Sequence, residues 1–203
     1  GVSFEVPKGQ ILGIIGKNGS GKSTLLRAIS GIFSADKGSI DLHGNSISLL
    51  SIGVGFQKKL SGYENIYLSG MLLGYTKEEI DEKIDNIIEF SELGEFINKP
   101  VSSYSSGMHS KLAFSITAIL EADIILIDEV LSVGDIHFKE KSYNKMKELI
   151  SDNDRTVVIV SHNSNTIEEL CDKVIWLHEG EIKEVGLPKD IMPKYEQFML
   201  QQL

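Results

Sequence analysis

The sequence predicts an α/β fold in which a mostly parallel sheet carries an inserted α-helical subdomain. Three short runs are apolar and rich in β-branched residues, which is typical of strands buried on both faces. Each run is followed by glycine or polar residues, and the carboxyl ends of parallel strands meet at one edge of a sheet, where ligands bind. A long stretch of helical character separates the first run from the second. The runs are Ile11 to Ile15, Ile124 to Ile127 and Val157 to Val160.

The length and composition indicate a globular protein. The 203 residues suit one large domain, or one core with a small insertion. Acidic residues outnumber basic ones by 29 to 20, and the resulting net charge of −9 argues against general nucleic-acid binding. No run of 18 apolar residues occurs, so no membrane span is predicted. The single cysteine, Cys171, shares an apolar helical stripe with Ile167, Leu170 and Val174, which predicts a buried structural thiol.

Residues 60–120 are predicted to form the helical subdomain, and residues 1–59 and 121–203 the α/β core. Thr76 and Glu79 form a capping box before an amphipathic helix, and Gly94 is expected to end the turn after it. A second helix is expected from Gly107 to Leu120.

Both ends of the chain are predicted to add regular structure. Val2 to Val6 alternates like a strand. Val174 to His178 and Glu181 to Lys183 predict a β-hairpin, with Trp176 in the core, and a last helix is expected from about Pro188.

A complete phosphate-binding motif follows the first strand. The run matches Gly-x-x-x-x-Gly-Lys-[Ser/Thr] at every position. Its glycines let the loop curl so that N–H groups point at nucleotide phosphates, and the helix that follows adds the positive end of its dipole. Lys22 is expected to reach the β- and γ-phosphates, Ser23 to bind Mg²⁺ and Thr24 to contact the α-phosphate. The motif comprises Gly16, Lys17, Asn18, Gly19, Ser20, Gly21, Lys22 and Ser23.

Two acidic residues and a histidine are expected at the same edge. Asp128 and Glu129 end the second strand, and Asp128 is expected to hold Mg²⁺ through a water molecule, because this ion keeps several of its waters. Glu129 is placed to deprotonate an attacking water. His162 follows the third strand and is expected to contact the γ-phosphate and position the same water.

These motifs resemble those of the ABC transporter ATPases along essentially the whole chain. Tyr104 to Met108 is similar to the family signature Leu-Ser-Gly-Gly-Gln, with Ser106 in place of a glycine and Met108 in place of the glutamine. Leu131 to Asp135 resembles the D-loop, and Gln57 resembles the Q-loop glutamine. The resemblance implies a P-loop NTPase fold, with a RecA-like core and an antiparallel β edge of the ABC type.

The same resemblance implies the ligands and partners. ATP and Mg²⁺ are the expected cofactors, with Gln57 near the metal and Asp135 near the nucleotide. The signature residues Ser105, Ser106 and Gly107 are expected to reach the nucleotide of a second copy, so that a head-to-tail dimer completes two sites. A multi-span membrane permease is the other implied partner, which would hold the chain at the cytoplasmic face of the plasma membrane.

Within the family, the sequence is most similar to exporters of teichoic acids and lipid-linked polysaccharides. Leu60 to Ile66 is similar to the Leu-Thr-Gly-x-Glu-Asn-Ile of that branch. The run Glu89 to Phe96 and the ending Pro193 to Phe198 resemble the Gram-positive teichoic acid exporter ATPase. The expected activity is therefore ATP hydrolysis coupled to export of such a polymer.

Two other functions remain open. A soluble ABC-class ATPase could act on ribosomes or DNA, although the chain shows neither two cassettes nor a long coiled coil. A P-loop kinase or GTPase would share the phosphate loop, but no Asn-Lys-x-Asp motif for guanine is present.

Overall fold

The structure is a computed structural model that describes residues 1–50, 55–128, 135–151 and 154–201. Its strands are β1 (Ile11–Ile15), β2 (Ile47–Leu49), β3 (Ile124–Asp128), β4 (Thr156–Val160), β5 (Lys173–His178) and β6 (Glu181–Gly186). Its α-helices are α1 (Lys22–Ile29), α2 (Gly62–Leu72), α3 (Lys77–Ser91), α4 (Ser106–Leu120), α5 (Ile136–Ser151), α6 (Ser164–Leu170) and α7 (Pro188–Leu200). Short 3₁₀ helices span Gly94–Asn98 and Val101–Ser103.

The described strands form one sheet in the order β2-β3-β4-β1-β5-β6. Neighbouring strands from β2 to β5 run parallel, and β6 pairs antiparallel with β5. The register places Asp128 beside Val160, and Val160 beside Ile14. The three predicted strands are therefore neighbours, and their carboxyl ends lie together at one edge, as the sequence predicts.

Helices cover both faces of the sheet. One face, with Ile127, Ile159 and Trp176, packs on α5, α6 and α7, while the other, with Leu12 and Ile175, packs on α1. The strand residues are almost completely buried, and each large apolar side chain removed from water contributes about 1.5–3 kcal/mol. Burial on both faces explains why these strands read as continuous apolar runs.

The helices between β2 and β3 have a hydrophobic core of their own. Side chains from α2, α3 and α4 fill it, with the 3₁₀ helices at its margin. Serine or threonine caps begin these helices: Ser61 and Thr76 each form a complete capping box, and Ser105 accepts a hydrogen bond from Met108 N–H. The predicted helices after Thr76 and up to Leu120 are confirmed.

The predictions for the end of the chain are also confirmed. The predicted hairpin corresponds to β5 and β6, α7 begins at Pro188, and Trp176 is buried.

Two local predictions are wrong. Within the described residues, Val2 to Val6 belongs to no strand, although its apolar side chains do pack on the core. Alternation reports which side chains touch the core, and not whether the backbone has a hydrogen-bonded neighbour. Helix α3 ends at Ser91 with Glu92 as its left-handed C-cap (φ 57°), and Gly94, expected to end the turn after the helix, is the first residue of the next 3₁₀ helix. Cys171 is buried as predicted, but it caps α6, and Val174 lies in β5 instead of on the same helix.

Candidate functional site

The phosphate loop leaves the sheet at Gly16, where space admits no side chain. A Cβ atom there would lie 2.3 Å from the carbonyl oxygen of Leu177 and 2.5 Å from Ser20 Oγ. The loop then turns through a hydrogen bond from Ser20 N–H to the Lys17 carbonyl, and Gly180 N–H donates to the Ser20 carbonyl. The β5–β6 turn thus contacts the loop directly and holds it against the carboxyl ends of the central strands.

Lys22 lies at the centre of this loop. It is only 6% exposed, and its Nζ donates to the carbonyl oxygens of Gly16 at 2.7 Å and Lys17 at 3.0 Å. A buried ammonium group among backbone dipoles attracts an anion strongly, because little water screens it. The lysine therefore both holds the loop curled and supplies its positive charge.

Helix α1 points its N-terminus into the same loop. Gly21, the N-cap, has a φ of 101° and no side chain that could cap the first turn. The first N–H groups of a helix have no partner within the helix, and they favour anions. Asn18 and Gly19 are exposed at the rim, and Thr24 is exposed in the first turn of α1.

Ser23 and Asp128 meet beside the loop. Ser23 Oγ donates to Asp128 Oδ1 at 3.3 Å, across 105 residues of sequence. A hydroxyl and a carboxylate next to a phosphate site are the oxygen ligands that Mg²⁺ takes together with phosphate oxygens. The donor set therefore fits Mg²⁺ bound together with a nucleotide.

Of the two residues predicted to activate water, His162 lies within the described part of the chain, just beyond the carboxyl end of β4. His162 is exposed, two residues beyond Val160, in the turn that leads to α6. Asn163 caps α6 by accepting from the N–H groups of Asn165 and Thr166, which fixes this turn. Glu129, and Leu131 to Gly134 of the D-loop, lie outside the described residues, so their roles stay predictions.

The signature residues begin α4. Ser105 is the N-cap, Ser106 is the first helical residue, and both are exposed. Ser105 Oγ accepts a hydrogen bond from Met108 N–H at 3.2 Å, so this cap satisfies one of the N–H groups in the first turn of α4.

Ion pairs join the signature helix to the start of α5. Lys111 Nζ lies 2.9 Å from Asp135 Oδ2 and 3.3 Å from Glu92 Oε2, and Lys141 lies 2.9 Å from Glu92 Oε1. Asp135 also caps α5 by accepting from Phe138 N–H. Hydrogen bonds from Lys111 and then from Phe138 N–H lower the pKa of Asp135 to about 2. The sequence motifs point to Asp135 but give no signal for Lys111 or Glu92.

Gln57 is exposed, and its backbone is held by a buried asparagine. Gln57 N–H donates to Asn65 Oδ1 at 2.7 Å, and Asn65 Nδ2 donates to the Gln57 carbonyl at 3.1 Å. None of the sequence motifs assigns a role to Asn65. The capping box Ser61-x-x-Glu64, which places Asn65 in the first turn of α2, is the signal that would have drawn attention to it.

A groove lined by both polar and apolar side chains lies between the helical subdomain and the core. It has a volume of about 290 Å³, and its lining residues come from the end of α1, from β2 and from the end of α2. Leu72 and Ile32 line it and are 59% and 46% exposed. Exposed apolar surface in a groove is typical of a site for another protein.

Comparison with known proteins gives a consistent result. A family model described as "ABC transporter" matches residues 1–132. The chain is 48% identical over 198 residues to the teichoic acids export ATP-binding protein TagH of Lactococcus lactis, covering 98% of this chain and 42% of that protein. It is 44% identical over 198 residues to the O-antigen export system ATP-binding protein RfbB of Klebsiella pneumoniae, covering 98% of this chain and 80% of that protein. The chain thus spans less than half the length of the first relative.

Two solved structures share the fold. The ATP-binding subunit of an ABC transporter superposes with a TM-score of 0.80 at 24% identity, covering 96% of this chain and 85% of that one. The ATP-binding cassette MJ0796, solved as a dimer in a post-hydrolysis state with ADP and Pi, gives a TM-score of 0.72 at 23% identity, covering 92% of this chain and 89% of that one. These likenesses confirm the predicted fold class.

Proposed function

The chain belongs to the ABC transporter family, and on that premise we propose that it binds and hydrolyses ATP to drive export of a lipid-linked teichoic acid or a related cell-envelope polysaccharide. The observation that carries this proposal is the meeting of Lys22, Ser23 and Asp128 at one sheet edge. Relatives named for teichoic acid and O-antigen export supply the class of cargo.

Within this proposal, the phosphate loop and α1 bind the nucleotide. The N–H groups from Lys17 to Thr24 donate hydrogen bonds to the phosphate oxygens, and Lys22 exchanges its backbone partners for the β- and γ-phosphates. The exchange needs only a rotation of the side chain, since Nζ already lies against the loop. Preformed donors stabilise the charge of a phosphoryl-transfer transition state because they need not reorganise during the reaction.

Ser23, Asp128 and Gln57 are the proposed residues that hold Mg²⁺. When bound, the ion neutralises charge on the β- and γ-phosphates. Glu129 would deprotonate the attacking water, a role that typically contributes about 10²- to 10⁴-fold in rate. His162 would orient the same water from the end of β4.

The proposed site is completed by a second copy of the chain. Ser105, Ser106 and Gly107 would offer the N-terminus of α4 to the γ-phosphate bound by the partner, with Asp135 beside it. The exposure of Ser105 and Ser106 supports this arrangement. The dimeric cassette of the same fold offers a further parallel.

A membrane-spanning permease is the proposed second partner. None of the helices in the described ranges has the length and apolar character needed to cross a bilayer. The groove between α1, β2 and α2 is proposed to take an apolar segment of the permease, at the cytoplasmic face of the plasma membrane. The groove lies between the core and the helical subdomain. A movement of one relative to the other would therefore be transmitted to the permease.

The export proposal is tested by purification of the tagged chain from solubilised membranes of its own host. We expect a multi-span membrane protein, identified by mass spectrometry, to be retained by the wild-type chain and released by Leu72→Glu. Leu200→Glu is the matched control, because Leu200 is similarly exposed (72%) but lies on α7. Retention of ribosomal proteins or DNA instead, with RNA- or DNA-stimulated ATPase activity, would favour the other ABC-class function.

A further inference from the structure

The segment that carries Gln57 is bound to the helical subdomain, although Gln57 falls within the range predicted for the core. Ser102 N–H donates to the Lys58 carbonyl at 2.9 Å, and Val101 N–H donates to the Leu60 carbonyl at 2.9 Å. Gly62 N–H donates to the Lys99 carbonyl at 3.3 Å. Backbone hydrogen bonds therefore join residues 58–62 to residues 99–102, which belong to the helical subdomain.

Asn65 fixes the beginning of this segment. Its side chain is fully buried on α2, with a relative exposure of 0%. Its oxygen accepts the N–H of Gln57, and its nitrogen faces the carbonyls of Gln57, Leu60 and Ser61 at 3.1, 3.2 and 2.8 Å. A buried amide that engages both backbone groups of one residue fixes its position strongly, because breaking the contacts leaves buried polar atoms unpaired.

A second contact ties the same segment to the signature helix. The ring of Phe56 lies 4.8 Å from the ring of His109 on α4, at an interplanar angle of 53°. Phe56 also packs against the core of the helical subdomain. The Gln57 backbone is thus bound to α2 through Asn65, and the neighbouring Phe56 contacts α4.

We infer that Asn65 is a positioning residue for the ATPase reaction, since it makes the Gln57 side chain follow the helical subdomain instead of the core. The inference rests on the proposed function, because Gln57 affects catalysis only if it serves the nucleotide and metal site. When the helical subdomain shifts relative to the sheet, Gln57 shifts with it toward or away from Ser23 and Asp128. Through Asn65, the position of the helical subdomain therefore decides whether Gln57 lies in the catalytic site.

The clamp is tested first by amide hydrogen exchange, which needs no ATP hydrolysis. In the wild-type chain the Gln57 N–H should be protected, although Gln57 itself is exposed. Asn65→Ala should raise its exchange rate by about tenfold or more, since buried hydrogen bonds of this kind are lost. Amides of β3 and β4 should be unchanged. A Gln57 amide that exchanges at the rate of an unstructured peptide in the wild-type chain would overturn the inference, whatever Asn65→Ala does to folding.

Ser91→Ala is the matched control for general damage to the subdomain. Ser91 is also 0% exposed and bonds the Ile88 carbonyl and Leu93 N–H on α3, away from Gln57. It should change neither Gln57 exchange nor kcat by more than about twofold.

Steady-state kinetics then test the positioning role. We expect Asn65→Ala to lower kcat about tenfold at saturating Mg²⁺, with metal-free nucleotide affinity within about twofold of the wild type. In a Gln57→Ala background the same substitution should change kcat less than about twofold, because both residues act through one group. An equal loss in both backgrounds would show that Asn65 acts elsewhere. A wild-type chain without ATPase activity would instead contradict the proposed function, and the exchange result would be unaffected.

Discussion

Lys22 concentrates the positive charge of the phosphate loop in one nearly buried side chain. Lys22→Ala should weaken ATP binding about ten- to hundredfold, because hydrogen bonds to charged groups contribute about 1.5–3 kcal/mol. Nucleotide titration by fluorescence or calorimetry would measure the change. Lys37→Ala removes the same charge from an exposed loop and should leave the affinity unaltered. Equal affinities for all three proteins would contradict the role given to Lys22.

At the scale of residues, the sequence predicts the site residues that stand at a fixed position after a strand. Lys22 and Ser23 stand at fixed distances after a strand, and Asp128 ends another strand, so their meeting follows from the parallel sheet. Asn65 and Lys111 act on segments that the sequence alone does not place beside them. Gln57 lies eight residues from Asn65, and Asp135 lies 24 residues from Lys111, so tertiary packing decides both contacts.

The link between α4 and α5 makes a prediction about pH at the scale of elements. Lys111→Met should raise the pKa of Asp135 from about 2 toward its ordinary value, but only in part, because Phe138 N–H still donates to the carboxylate. Carboxyl chemical shifts in an NMR titration would measure it. Glu140→Gln, an exposed charge change on α5, is the control.

The sign of the stability effect follows from this pKa. A folded-state pKa below the unfolded value means that the Lys111 contact stabilises the protein above about pH 4. The contribution is lost as the pH falls through about 2. The free energy of unfolding of the wild-type chain, measured with denaturant, should therefore exceed that of Lys111→Met by less and less as the pH falls from about 4 to about 2. A difference in this free energy that stays constant with pH would argue against the ion pair.

Elements with a regular apolar pattern could be predicted, and elements without one could not. β1 has the predicted bounds, and α3 follows its capping box. β2 was missed because it has three residues, one of them the buried Ser48. α5 was missed because its buried stripe of Phe138, Ser142 and Met146 contains a serine, which breaks the apolar period.

For the whole molecule, the proposed dimer gives the clearest prediction. Glu129→Gln should retain ATP binding but hydrolyse ATP at least about 10²-fold more slowly, since the general base is lost. The bound nucleotide should then hold two chains together, so light scattering should give twice the monomer mass in ATP and the monomer mass in ADP. Adding Ser105→Ala should weaken that dimer. Hydrolysis at the wild-type rate by Glu129→Gln would refute the assignment of the base.

The order of the strands has a consequence for synthesis of the protein. β1, which bears the phosphate loop, pairs with β4 and β5, so that Ile11 lies beside Val157 and Gly13 beside Val174. The loop therefore leaves the ribosome long before the two strands that flank it have been translated. The loop also packs against Leu177 and Gly180. The complete phosphate-binding site therefore forms only after nearly all of this sequence has emerged from the ribosome.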